Sequence, residues 1–245
     1  FLMPFVDPML PRRSVSGTIT GTHIEKHRRT SNGRTRTVTA SVTPANPAAT
    51  WSSYYPFTAD ASDANGHFNG VLNGGASIQS DPTRGNVLNL SGANQYVSLP
   101  PPAGSILTFM AWVKWNGGAA WQRILDFGND TTRYCVLTPS AANGKLRFNI
   151  TVNGTVGEQI MDAPGPLPIG EWTHVAVVLD GERGVLYTNG VPVATNVALN
   201  LVPADLSATN IWLGRSQWPD PYFNGQISSV RMFSRMRQSS CFRSG

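Results

Sequence analysis

Two polar stretches hold most of the side chains that could do chemistry. TADASDANGHFNG, residues 58–70, places Asp60, Asp63, Asn65 and Asn69 within ten residues. With backbone carbonyls, these hard oxygen donors could complete a calcium shell of roughly six to eight ligands. The spacing is not that of an EF-hand loop, because the D-x-D-x-D-G run and the closing glutamate are missing. The same residue types also build a turn whose Asp and Asn side chains cap their own backbone. The second stretch, RSQWPDPYFNG at 215–225, carries Gln217, Trp218, Asp220 and Tyr222 beside two stiffening prolines. An aromatic face with amide and carboxylate groups nearby suits the C–H surface and hydroxyls of a sugar. The same aromatics could instead seal a sheet edge. Asn129 and Asp130 with Arg133 form a further polar loop of this kind.

Catalytic constellations are not found. Hydrolysis of a glycoside needs two carboxylates flanking the bond. Asp60 and Asp63 lie in a loop, and Asp180 and Glu182 straddle a turn. Glu158 and Asp162 share one face of a predicted strand, where they read as edge-strand charges. G-x-S-x-G is absent, and neither Cys135 nor Cys241 has a motif around it. His23 and His27 fall in a linker and His67 in a loop. His174, in W-T-H-V-A-V, reads as a structural histidine beside Trp172. No His/Cys cluster has zinc spacing.

The elements that must position these residues are strands. Charged residues are only 13%, while 24 glycines, 18 prolines and seven tryptophans suit a turn-rich β protein. Strands are predicted near 54–58, 76–80, 86–91, 94–99, 106–115, 121–128, 133–138, 144–152, 155–162, 171–180, 183–189, 191–195, 209–214 and 222–234. In 171–180, Val175, Val177 and Leu179 face one way and His174, Ala176 and Val178 the other. Asn189-Gly190 suits a tight hairpin turn, and Pro192 puts its strand at an edge or bulge. Trp112, Trp172 and Trp212 alternate with aliphatics and are expected in the core. Trp115, Trp121, Trp218 and Tyr222 are expected at strand ends or in loops.

Residues 1–13 read as the end of a preceding domain, 14–50 as a Ser/Thr/Arg/Pro-rich linker with a strand near 37–42, and 236–245 as an irregular tail. The net charge of +5 resides in residues 1–50, where seven Lys/Arg face two acids; the remainder carries twelve of each. A basic arm without interleaved aromatics argues for a solvated linker over a nucleic-acid grip. No apolar run is long enough for a membrane span. Two cysteines permit one bridge, and the sequence leaves Cys135–Cys241 pairing open.

The ordered strings YYPFTADASDANGHFNG, LNLSGANQYVSLP, LTFMAWVKW, ILDFGND, GEWTHVAVVLDGERGVLYTNGVPV, NIWLGRS and FNGQISSVRMFSR resemble the laminin-G-like domain of the concanavalin-A-like lectin/glucanase superfamily. The resemblance implies an all-β, two-sheet antiparallel jelly-roll sandwich over 51–235, preceded by a polar, largely irregular basic linker. It further implies a non-catalytic accessory module, secreted or at the cell surface, that binds carbohydrate through rim loops and follows an upstream catalytic domain. A protein-interaction or adhesion domain is the alternative. Glycosidases of the superfamily show E-x-D-x-x-E, which this chain lacks. Relatives often bind one structural calcium ion; where they carry an acidic pair after the last F-x-G-x-I, this chain has Ser228-Ser229.

Overall fold

The computed structural model describes residues 26–31, 34–39, 52–101 and 106–234. Cys241 and the segments 1–13 and 236–245, expected as the end of a preceding domain and an irregular tail, lie outside them. The chain divides into two units, Phe1–Ala48 and Ala49–Gly245. In the first, β1 (Lys26–Ser31) and β2 (Arg34–Thr39) pair antiparallel, Lys26 opposite Thr39. Part of the segment read as an irregular linker is therefore a hairpin, and the strand placed near 37–42 begins earlier and is paired. Its strand preference comes from β-branched threonines, with no apolar alternation to announce it.

The second unit opens with β3 (Ser52–Tyr55), β4 (Val71–Asn73), β5 (Ser77–Asp81) and β6 (Gly85–Ser91). Then come β7 (Tyr96–Leu99), β8 (Ile106–Trp115), β9 (Leu125–Gly128), β10 (Tyr134–Thr138) and β11 (Arg147–Thr151). After a 3-10 turn at Gly154–Gly157 follow β12 (Gln159–Asp162), β13 (Trp172–Leu179), β14 (Gly184–Thr188) and β15 (Val191–Asn196). A second 3-10 turn, Pro203–Leu206, leads to β16 (Asn210–Leu213) and β17 (Asn224–Ser234). Each predicted strand overlaps an observed one; β1 and the three-residue β4 were not foreseen.

Two antiparallel sheets result. One runs β12-β11-β10-β9-β16-β7-β4, and the other β15-β14-β13-β8-β17-β6-β5, with β3 also paired to β17. Their inner faces supply one continuous core that includes Phe57, Leu88, Phe109, Phe127, Phe148, Val175, Val177, Leu186 and Phe223. Asn189 and Gly190 take φ values of 49° and 78°, as a hairpin turn with two left-handed positions requires. Pro192 sits on β15, an edge strand, where a missing ladder donor costs nothing.

The tryptophan expectation fails by one residue of phase. Trp112, Trp172 and Trp212 are half-buried on outward faces, and Trp115 is the core tryptophan. Buried Ala111 and Val113 flank Trp112, so the two-residue pleat sends the indole outward. There Arg84 covers it, with the guanidinium 3.9 Å from the Trp112 ring and 5.5 Å from Trp172. Trp172 Nε1 donates to buried Asp81 at 3.1 Å, and His174 meets Trp112 edge-on at 5.3 Å. Burial and the Arg84 charge lower the His174 pKa, which fits the structural role expected of it.

Candidate functional site

Strand pairing lines up one row across the outer face of the seven-stranded sheet. Ile160 lies opposite Asn149, Asn149 opposite Val136, Val136 opposite Asp126, and Asp126 opposite Trp212. Their chain neighbours Phe127, Leu137, Phe148 and Ile150 belong to the core, so the row faces out. Tyr134, two residues before Val136, shares that face. Three segments fold over it: the residues leading into β9, the 3-10 turn with Glu158, and the loop 214–223. They enclose a groove of about 180 Å³ with Val136 at its floor and Asn149, Tyr134, Trp121 and Trp218 around it; Arg123, Thr155, Glu158 and Asp220 complete the lining.

The aromatic groups are held rigidly. Trp218 meets Tyr134 edge-to-face, with centroids 4.5 Å apart and planes at 85°. The Trp218 N–H donates to Ser216 Oγ at 3.1 Å, and Ser216 Oγ donates to Asp220 at 3.0 Å. Gly128 lets the loop come down on β9, since a Cβ there would lie 2.8 Å from Arg133 O and 3.3 Å from Gln217 Cγ. Trp121 has φ of 70°, a left-handed conformation costly for a bulky side chain. Its N–H donates to Ser140 O at 2.8 Å and its carbonyl accepts from Arg123, which fixes the indole at the rim. Such strain gathers where a side chain must be aimed.

Arg123 is the electrostatic hub, its side chain only 3% exposed. Its Nη2 donates to Asp220 at 2.7 Å, its Nη1 to Trp121 O, and its Nε lies 3.4 Å from Asp126 Oδ2. Tyr134 donates its hydroxyl to Glu158 at 2.6 Å. Burial, reinforced by the Glu158 carboxylate, pushes the Tyr134 hydroxyl pKa well above its usual value, so it stays a donor. Asn149 Oδ1 is buried and accepts no hydrogen bond from the described residues.

Asp126 lies beneath this layer, accepting from the Gln217 backbone at 3.1 Å and the Gln217 amide at 3.3 Å. Burial pushes its pKa up to about 6, against the opposing pull of Arg123 and Gln217. The folded state therefore holds the proton more tightly than the unfolded chain, whose Asp titrates near about 4. That contribution to stability is complete below about pH 4 and is lost as pH rises through about 6. Asp126→Asn is expected to flatten this part of the melting-temperature curve between about pH 4 and 7. An unchanged slope would remove Asp126 as its source.

The residues expected from sequence separate here. Trp218 and Asp220 line the groove. Gln217 lies under it, bonded to Asp126 and accepting from Asn210 at 3.1 Å. Tyr222 stands apart, packed on Tyr96 at 6.4 Å beside Trp212 and Arg215. Asn129 bonds Leu206 O and the Thr209 N–H at 3.2 and 2.7 Å, and Arg133 donates to Asp205 O. Gln217, Asn129 and Arg133 are hydrogen-bonded within the fold and Tyr222 packs on another ring, and none of the four lines the groove. Trp121, Arg123, Tyr134, Asn149, Thr155 and Glu158 were missed as a group. Glu158 and Asp162, read as edge charges, part company: Glu158 bonds Tyr134, whereas Asp162 accepts from Arg147 at 2.6 and 2.9 Å. Cys135 is a buried free thiol whose pKa burial pushes well up.

The loop 58–70 is organised around its own backbone. Asp63, 4% exposed, accepts from Tyr54 and Asn65 N–H on one oxygen at 2.8 and 3.0 Å. Its other oxygen accepts from His67 and Phe68 N–H at 3.3 and 3.2 Å. Asn69 Oδ1 accepts the Asp63 N–H, Asp60 accepts that of Ser62, and Asn65 donates to Ser52. With the Asp63 lone pairs committed to four N–H groups, this donor set does not fit a calcium shell. Among the described residues no three His, Cys, Asp or Glu side chains converge.

A family model described as the concanavalin A-like lectin/glucanases superfamily matches residues 90–240. No curated protein matches the chain in sequence. Among solved structures, domain 4 of AbnA, a GH43 extracellular arabinanase from Geobacillus stearothermophilus in complex with arabinotriose, is similar at TM-score 0.63 and 22% identity, over 75% of this chain and 91% of that one. The Ruminococcus gnavus IT-sialidase CBM40 bound to alpha2,3 sialyllactose gives 0.51 and 19%, over 62% and 91%. A leech intramolecular trans-sialidase gives 0.51 and 18%, over 62% of this chain and 26% of that one. At such identities the likeness is one of fold.

Proposed function

The chain belongs to the concanavalin A-like lectin/glucanases superfamily, and from that premise we propose that it is a carbohydrate-binding module using the groove over β9–β11. The carrying observation is the groove itself. Three rigidly set aromatic side chains surround it, next to hydrogen-bonding groups and an unpartnered buried carbonyl. Indole faces suit the C–H surfaces of sugars, and the polar groups suit their hydroxyls. The structural likeness to an arabinanase domain holding arabinotriose and to a sialidase module holding sialyllactose supports this reading.

The module is non-catalytic. The groove's two carboxylates are tied to other work, Glu158 to the Tyr134 hydroxyl and Asp220 to Arg123 and Ser216. It serves outside the cell as an accessory of a larger secreted protein, bringing a catalytic domain to its polysaccharide. Affinity is modest, because a single shallow site leaves only a small surplus after ordering costs.

Thr155 tests the location. It lines the groove from an exposed position on the 3-10 turn, so Thr155→Trp fills space without disturbing the core. Binding of the full chain to a glycan array is expected to fall by about tenfold or more at unchanged melting temperature. Glycan binding indifferent to Thr155→Trp would place the ligand elsewhere. No glycan binding, with retained binding to a protein partner, would favour an adhesion domain instead.

A further inference from the structure

Resting on that reading, we propose that the groove selects uncharged or amino sugars rich in hydroxyl donors and rejects uronates, sialates and sulfated sugars. The argument is one of charge and of proton supply. Arg123 is the only cation among the described lining residues, and it is buried and already paired with a carboxylate. Nη1 is given to Trp121 O, Nη2 to Asp220 at 2.7 Å, and Nε faces Asp126 at 3.4 Å, with the side chain 3% exposed. Buried to this degree and paired with Asp220, the guanidinium presents no open fork to a bidentate sugar carboxylate, and its Nε, which has no hydrogen-bond acceptor among the described residues, faces Asp126 rather than the groove. Arg147, 5.7 Å from the Trp121 ring, is likewise closed off by Asp162 at 2.6 and 2.9 Å.

The lining thus sets one guanidinium against two carboxylates, Glu158 and Asp220, with Asp126 beneath. The free polar atoms complete the pattern. Glu158 has one oxygen taken by Tyr134, and Asp220 has one taken by Arg123 and Ser216. The other oxygen of each accepts nothing from the described residues, and neither does buried Asn149 Oδ1. These three acceptors can take protons from the ligand, and buried Asn149 Oδ1 has no donor among the described residues. A sugar hydroxyl supplies one, and so does the ammonium of an amino sugar. A carboxylate or sulfate supplies none and meets two like charges, a juxtaposition that interfaces use to exclude wrong partners.

The test is a glycan array carrying neutral, amino, uronate, sialylated and sulfated glycans, probed with the full chain at low and high salt. Hits confined to neutral and amino glycans are expected, with anionic analogues at least about tenfold weaker at low salt and the gap narrowing as salt screens it. Asp220→Asn combined with Glu158→Gln is expected to reduce that gap by about tenfold, and Asn149→Ala to weaken neutral hits by about tenfold at unchanged salt dependence. Melting curves of both variants separate these effects from loss of fold. Anionic hits that Thr155→Trp abolishes would overturn this proposal while leaving the groove as the binding site. An array without any hit would instead overturn the carbohydrate reading and this proposal with it.

Discussion

Trp218→Ala is expected to weaken glycan binding by about thirtyfold, the size of a hot-spot truncation near 2 kcal/mol. The ring is already in place without a ligand, edge-on to Tyr134 at 4.5 Å, and the Trp218 backbone N–H is anchored to Ser216 Oγ. Pro219 and Pro221 restrict the loop on either side of Asp220. Little ordering is therefore charged against the stacking contact, and removing the indole forfeits nearly all of it. The fold should survive, since Trp218 is half-buried and its neighbours Asp220 and Arg123 keep their 2.7 Å ion pair. Trp218→Phe keeps an aromatic face and is expected to lose much less. Calorimetric titration with a glycan identified on the array measures both, and unchanged affinity in Trp218→Ala would exclude the ring as the platform.

The largest expected loss of stability is at Asp63. Asp63→Ala strands four backbone N–H groups, of which those of Tyr54 and Phe68 tie the loop to β3 and to its own far end. Leaving buried donors unpaired costs about 1–3 kcal/mol each; Asn65 and His67 are exposed and their N–H groups rehydrate, which holds the sum to about 3–5 kcal/mol. For a domain of this size that corresponds to a fall of roughly 10 °C in melting temperature. The fall should be the same in calcium and in chelator. A calcium-dependent rise for the wild type, lost in Asp63→Ala, would instead show that the carboxylate turns from its N–H groups to a metal.

The sandwich was legible because its signals are local. Asn189-Gly190, Pro192 and the two-residue alternation of 171–180 each declare a turn, an edge or a pleat within a few residues. Trp112, Trp172 and Trp212 misled because indole size suggests a core place, while their cover is cationic: Arg84, from a distant turn, lies over Trp112 and Trp172, and Arg215 lies over Trp212. Trp218 and Asp220 were legible for the same local reason, standing in a proline-stiffened loop. Asn149, Val136 and Asp126 become neighbours only through strand register, which no single segment states. Tyr134 and Glu158, 24 positions apart, meet in the same way. Asp63 was read by residue type, and only coordinates reveal that its oxygens point back at its own chain.

β17 has a consequence for how the molecule comes to exist. It is the last of the described strands, yet it lies inside its sheet, joined to β8 along one side and to β6 and β3 along the other. During translation, β3, β6 and β8 all leave the ribosome with a gap where their shared partner belongs. Collapse of the larger layer must wait for residues synthesised well over a hundred codons after β3, so acquisition of the native state is slow. Until then two unsatisfied edges face each other, ready to capture a β17 from another copy.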